Sequence, residues 1–176
     1  MAEKGIYLEV VKIPIITSLP QVAGSNGRRH SYLVFRDGKG GERVLRGGPA
    51  TSLGWMVGDD IKMEIDVPLD QSEDRYEPGE KPGSRPSIKL DLDGRPAEEV
   101  WPIMVKEASR IHKGRMDYDA IPVYQNSNSV TRAMLERVGI DAEKSLPPGI
   151  SKYDLPGFLN DLSAPYDRID QLSGEA

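Results

Sequence analysis

The chain has 176 residues, a mass of 19.4 kDa and no cysteine, which excludes disulfide frameworks, thiolate metal sites and a cysteine nucleophile. Two histidines are too few for a multi-histidine metal centre, so no metal and no cofactor are expected. A net charge of −5 and a pI near 5.2 lack the basic surface of a nucleic-acid binder.

No apolar run approaches the roughly 20 residues of a membrane span. The start, Met-Ala-Glu-Lys-Gly, has no basic region followed by an apolar one. The expected compartment is the cytoplasm, with signal-less export as an effector left open. The length suits a single domain over 1–162, followed by a polar tail over 163–176.

A Val- and Ile-rich run predicts a first strand over 6–13. After a turn-rich stretch, His30-Ser-Tyr-Leu-Val-Phe-Arg36 and Glu42-Arg-Val-Leu-Arg46 flank the loop Asp37-Gly-Lys-Gly-Gly41 and predict a hairpin. Gly47-Gly48-Pro49 is expected to end its second strand. Alternation of Ile61, Met63, Ile65 and Val67 predicts another strand over 60–67. The polar segment 71–85 contains Pro78, Gly79, Pro82 and Gly83, and a loop this long is either disordered or functional. Disorder is the leading expectation, and a lid over a substrate is the alternative.

A short strand is predicted over 87–92. Ala97, Val100, Trp101, Met104, Val105, Ala108 and Ile111 then fall on one helical face. Pro102 is expected in the first turn of that helix or at a kink. A second helix is predicted from Ser127 or Ser129 to Val138, with Val130, Ala133, Met134 and Val138 inward and Gly139 as its stop. A further helical turn is expected over 158–162. Together the elements predict an α+β fold, an antiparallel sheet with helices packed on one face.

Chemistry concentrates in Tyr124-Gln125-Asn126-Ser127-Asn128-Ser129-Val130, at the mouth of the second helix. A helix N-terminus presents unpaired N–H groups and partial positive charge, which favour an anionic nucleophile or an oxyanion. Two readings stand. Any of Asn126, Ser127, Asn128 or Ser129 can simply cap the helix, with Ser129 in the better position. Alternatively Ser127 faces a cleft as a nucleophile, and a serine then needs a neighbouring base. His30 is the candidate base; His112, beside Lys113 at a helix end, reads as structural or solvated. Arg28, Arg29, Arg43 and Arg46 form a modest basic group around the hairpin. Their readings are solvated charge or recognition of an acidic substrate group.

A histidine-led strand, a hairpin, a variable middle and an Asn-Ser-Asn-Ser helix start resemble the circularly permuted papain-like proteins. That group includes NlpC-type amidases of permuted order, PPPDE peptidases and relatives of lecithin-retinol acyltransferase. The likeness covers 30–49 and 124–139. It implies a permuted papain-like arrangement and action on an amide or ester bond, with a peptide, glycopeptide or ester as substrate. Ser127 takes the place of the family's cysteine nucleophile, and His30 that of the base. Gln125, Asn126 and Asn128 become candidates for oxyanion stabilisation or substrate positioning, together with the Ser127 and Asn128 N–H groups, and Arg46 for substrate binding. The family's third residue tends to come from the strand after the histidine strand, where this chain offers no carboxylate or amide over Arg46 to Gly48. Bacterial effectors and toxin-like proteins fall within the same reading. So does an inactive relative that keeps the cleft to bind a peptide, glycopeptide or protein partner.

Overall fold

The structure, a computed structural model, describes residues 3–12, 29–49, 59–118, 126–160 and 162. Among the described residues there are six strands: β1 (Gly5–Lys12), β2 (Arg29–Arg36), β3 (Glu42–Pro49), β4 (Asp59–Pro68), β5 (Ser87–Lys89) and β6 (Asp117–Tyr118). Five of them make an antiparallel sheet in the order β5-β1-β2-β3-β4, and β6 pairs with the start of β4. Two helices follow, α1 (Ala97–Lys113) and α2 (Ser127–Arg137). The expected α+β class is what the chain adopts.

Period-two alternation divides β2 between the two sheet faces. Leu33 and Phe35 join Ile6, Leu8, Val10, Leu45, Ile61 and Met63 in the main core, against Val100, Trp101, Met104 and Ile111 of α1 and Val130, Met134 and Leu135 of α2. Both helices therefore cover one face. Tyr32 and Val34 point the other way, into a smaller cluster with Val44 and Leu69.

Several elements differ from expectation. β3 runs through Gly47 and Gly48 to Pro49 because these residues stay paired with Met63, Lys62 and Ile61 of β4. β5 is only three residues long, and Leu90 and Leu92 continue as irregular chain with buried side chains. Pro102 is the sixth residue of α1, beyond the first turn, and denies the Glu98 carbonyl its helical N–H partner. The late helical turn forms at Lys152–Asp154, and 156–159 is a turn that buries Phe158. At the end of α2, Gly139 adopts φ +78° and the Ile140 N–H donates to the Leu135 carbonyl at 3.0 Å, the left-handed stop that its glycine predicts.

The segment 71–85 is packed, contrary to the expectation of disorder. Leu69–Gln71 forms one 3-10 turn, and Ser72, Asp74 and Arg85 are buried. Ser72 Oγ donates to Glu64, the Glu73 N–H donates to the same carboxylate, and Arg85 holds the far end. The segment is fastened through these three buried polar residues, and most of its other residues are exposed.

Candidate active site

β2 and β3 part company halfway. Their pairing spans Leu33↔Leu45 to Arg36↔Glu42, whereas Arg29, His30, Ser31 and Tyr32 remain paired only with β1. The N-terminus of α2 enters the fork. Asn128 Oδ1 accepts from the Ser31 N–H and from Ser31 Oγ, each at 2.8 Å. Asn128 Nδ2 donates to the Arg29 and Pro156 carbonyls at 3.1 and 2.9 Å. Thr131 Oγ1 donates to the Ser31 carbonyl at 2.9 Å. The first turn of the helix thus takes the hydrogen-bonding place of a strand, on backbone either side of His30.

Gly47 makes that approach possible. A Cβ there would lie 3.2–3.3 Å from three carbons of Val130 on α2. The next residue serves the opposite face: a Cβ on Gly48 would meet the Arg46 guanidinium at 3.1–3.3 Å.

Asn126 is the N-cap. Its Oδ1 accepts from the Asn128 N–H at 2.8 Å, and Ser129 Oγ accepts from the Asn126 N–H at 3.1 Å, a reciprocal capping box. Capping therefore falls to Asn126 and not to Ser129, whose Oγ also donates to the Gly157 carbonyl at 3.0 Å. Asn126 Nδ2 donates to the Pro156 carbonyl at 2.9 Å. Both amides named as candidates for substrate positioning are thus engaged within the protein; Asn128 makes all four of the bonds its side chain allows. The Asn128 N–H, one of the two candidate oxyanion donors, is occupied as well, by Asn126 Oδ1. Gln125 lies outside the described residues.

Ser127 is the first residue of α2 and only 5% exposed. Among the described residues its Oγ has no hydrogen-bond partner, His30 included. The cap of the helix is supplied by Asn126 and not by this hydroxyl.

His30 points to the face away from the helices, where its ring stacks on Tyr32 with centroids 5.9 Å apart and planes 19° from parallel. His30 Nε2 lies 2.9 Å from Asp74 Oδ2, and both side chains are more than nine-tenths buried. Burial of Asp74 opposes its charge, but the attraction and hydrogen bond of His30 and the charges of Arg46 and Arg85 prevail, holding its carboxyl below the ordinary range. An ionised carboxylate only accepts, so the bond to Asp74 requires a proton on Nε2, and the tautomer that meets this requirement with one proton keeps its lone pair on Nδ1.

Arg46, offered by the sequence as a substrate contact, is tied into the same cluster. Its Nε lies 2.7 Å from Asp74 Oδ2 and its Nη1 2.5 Å from Glu73 Oε2. The same Nε lies 3.5 Å from His30 Nε2, so guanidinium, imidazole and carboxylate form one contact cluster. Arg46 thus lies alongside His30 although β2 and β3 are not paired at that point.

Sequence reasoning missed Asp74, 44 residues from His30. No local spacing could have found it, because it belongs to a polar segment whose docking is set by Glu64 and Arg85. Ser31 and Thr131 were missed for a similar reason, since their roles arise only once the helix enters the fork. Among the described residues no group of three or more His, Asp or Glu side chains is placed to hold a metal ion. No described helix is long and apolar enough to cross a membrane. Compared with known proteins, the chain matches no family model, no curated protein and no solved structure.

Proposed function

We propose that the protein is a papain-like hydrolase or acyltransferase of permuted order, acting on an amide or ester bond through Ser127. In this reading His30 Nδ1 takes the proton of Ser127 Oγ as the hydroxyl attacks the substrate carbonyl. Asp74 holds the ring through Nε2 and offsets the imidazolium charge that forms. The Ser127 N–H, at the positive end of α2, donates to the oxyanion. The proton then passes from His30 to the leaving amine or alcohol, and water or a second acceptor releases the acyl group.

One observation carries this reading: the buried 2.9 Å contact of His30 Nε2 with Asp74 Oδ2, on the strand to which the Ser127 helix is fastened. It supplies the orienting group that the sequence alone left unassigned. Here that group follows β4, whereas the resembled family tends to place it on the strand after the histidine strand. An antiparallel sheet receiving the nucleophile's helix at its histidine strand also fits a permuted papain-like arrangement.

A second reading rests on the absence of a hydrogen bond between Ser127 Oγ and His30, whose ring lies on the sheet face away from the helices. In that reading the protein is an inactive relative that uses the cleft to bind a peptide, glycopeptide or protein partner. Substituting Ser127→Cys separates the two, because a thiol needs far less help to ionise than a hydroxyl. Screened against peptide and ester libraries, S127C should turn over substrate, and H30A in that background should abolish turnover. A folded S127C with no turnover would leave the binding reading.

A further inference from the structure

Arg85 is buried on the sheet face away from the helices, and it makes five hydrogen bonds, to Tyr32, Glu80 and the carbonyls of Asp74 and Arg75. Nη1 donates to Tyr32 Oη at 2.7 Å and to the backbone carbonyl of Asp74 itself. Nη2 donates to the Arg75 carbonyl at 2.8 Å and to Glu80 Oε2 at 2.7 Å, and Nε to Glu80 Oε1 at 2.8 Å. The fork of one guanidinium therefore fixes two consecutive carbonyls, Asp74 and Arg75, where the segment crosses β2.

Tyr32 joins the two halves of this arrangement. Its ring is stacked against His30, while its hydroxyl accepts from Arg85 and donates to Glu9 Oε2 at 2.7 Å. Glu9 is anchored in turn by Arg36, which also holds Glu42 at 2.7 Å. The base and its carboxylate are thus fastened to one buried scaffold by two arms, a ring stack under His30 and a guanidinium on the Asp74 backbone.

We infer that Arg85 is a positioning residue for the His30–Asp74 pair: by clamping the Asp74 backbone and the Tyr32 hydroxyl together, it sets Asp74 Oδ2 against His30 Nε2. This rests on the proposed catalytic reading for its purpose, but the geometry it describes is measurable without any activity. Lysine cannot substitute, because an ammonium is a point donor and lacks the planar fork that reaches two carbonyls, a phenol and a carboxylate. Asp74 still has Arg46 beside it, so loss of Arg85 should loosen the pair without removing its charge partner.

The test reads the His30 ring by proton and nitrogen NMR in the whole protein, with amide dispersion as the control for folding. In the unsubstituted protein the Nε2-bound proton should resonate far downfield, as expected for a short bond to a carboxylate, and the ring should populate one tautomer. In R85Q and R85K, folded, that proton signal should be lost to exchange and the ring should show both tautomers. An unchanged His30 spectrum in folded R85Q overturns the proposal. If R85Q does not fold, Y32F decides: it keeps the ring over His30 and removes only the hydroxyl, and the proton signal should broaden and exchange at least about tenfold faster. An unaltered signal in Y32F would likewise overturn it. Neither result depends on whether Ser127 is reactive, so failure of the catalytic reading would be seen separately, as an intact His30 signature in a protein without turnover.

Discussion

Ser127 and Asn128 are neighbours at the start of α2 and have opposite relations to the rest of the molecule. The Asn128 side chain satisfies the Ser31 N–H and the Arg29 carbonyl, two backbone groups at the fork in the sheet, and shares the Pro156 carbonyl with Asn126. Removing it in N128A should destabilise the protein by at least about 2 kcal/mol, since each buried group left unpaired costs about 1–3 kcal/mol. S127A should change stability by no more than about 0.5 kcal/mol, where loss of a cap would cost about 1 kcal/mol. Urea denaturation of the two variants measures the contrast, and a cost for S127A equal to that of a lost cap would assign Ser127 to structure. Gly47 offers a similar check: G47A would push its new methyl against Val130 from 3.2 Å. Both partners are backbone-anchored and buried, so a loss of about 1–3 kcal/mol is expected in the same measurement.

At the scale of elements, the segment after β4 matters most. It looks like a linker by composition, and it delivers Ser72, Asp74 and Arg85 into buried positions. Its docking should therefore respond to acid. The Asp74 carboxyl lies below its ordinary value of 3.8 in the folded chain, so over the window beneath that value the unfolded chain binds the proton that the folded chain refuses. The contribution of Asp74 is complete above the unfolded value and is lost as pH falls through the folded one. Glu9 works in the opposite sense: burial, only partly offset by its bonds to Tyr32 and Arg36, raises its carboxyl above 4.5. The folded chain then holds a proton that the unfolded chain releases, and stability falls as pH rises from 4.5 toward the folded value. Urea midpoints taken from about pH 6 down to about pH 3 should accordingly fall less steeply for D74N than for the unsubstituted protein. Equal slopes would mean that Asp74 is not held ionised.

At the scale of the molecule, the two faces of the sheet differ in how far the sequence reveals them. The helix-covered face was readable: alternation in β1, β2 and β4 and the three-and-four spacing in α1 each state which side chains turn inward, and burial favours that side. Of the α1 face, only Val105 stays partly exposed, while Glu107 is buried instead and reaches Arg137 at 3.5 Å. The opposite face was not readable, because polar side chains from distant segments cover it and hydrogen bonds between them leave no periodic trace. His30 and Ser127 could be singled out by residue type and local setting. Asp74, Tyr32 and Arg85 could not, since each acquires its role from contacts 5 to 53 residues away that no helix or strand period relates. The third member of the proposed triad was therefore sought in β3, where the hairpin brings Arg46 and no carboxylate. In a chain without cysteine, the proposed nucleophile is the hydroxyl at the mouth of α2. Its reactivity depends on the pair behind it.

Reaction of the protein with a fluorophosphonate probe, with the modified residue located by peptide mapping, tests this most directly. A single adduct on Ser127 is expected in the unsubstituted protein, abolished in S127A and H30A and slowed in D74N by at least about tenfold, as for loss of an orienting carboxylate. A folded protein that takes up no probe, or takes it up elsewhere, would contradict the account.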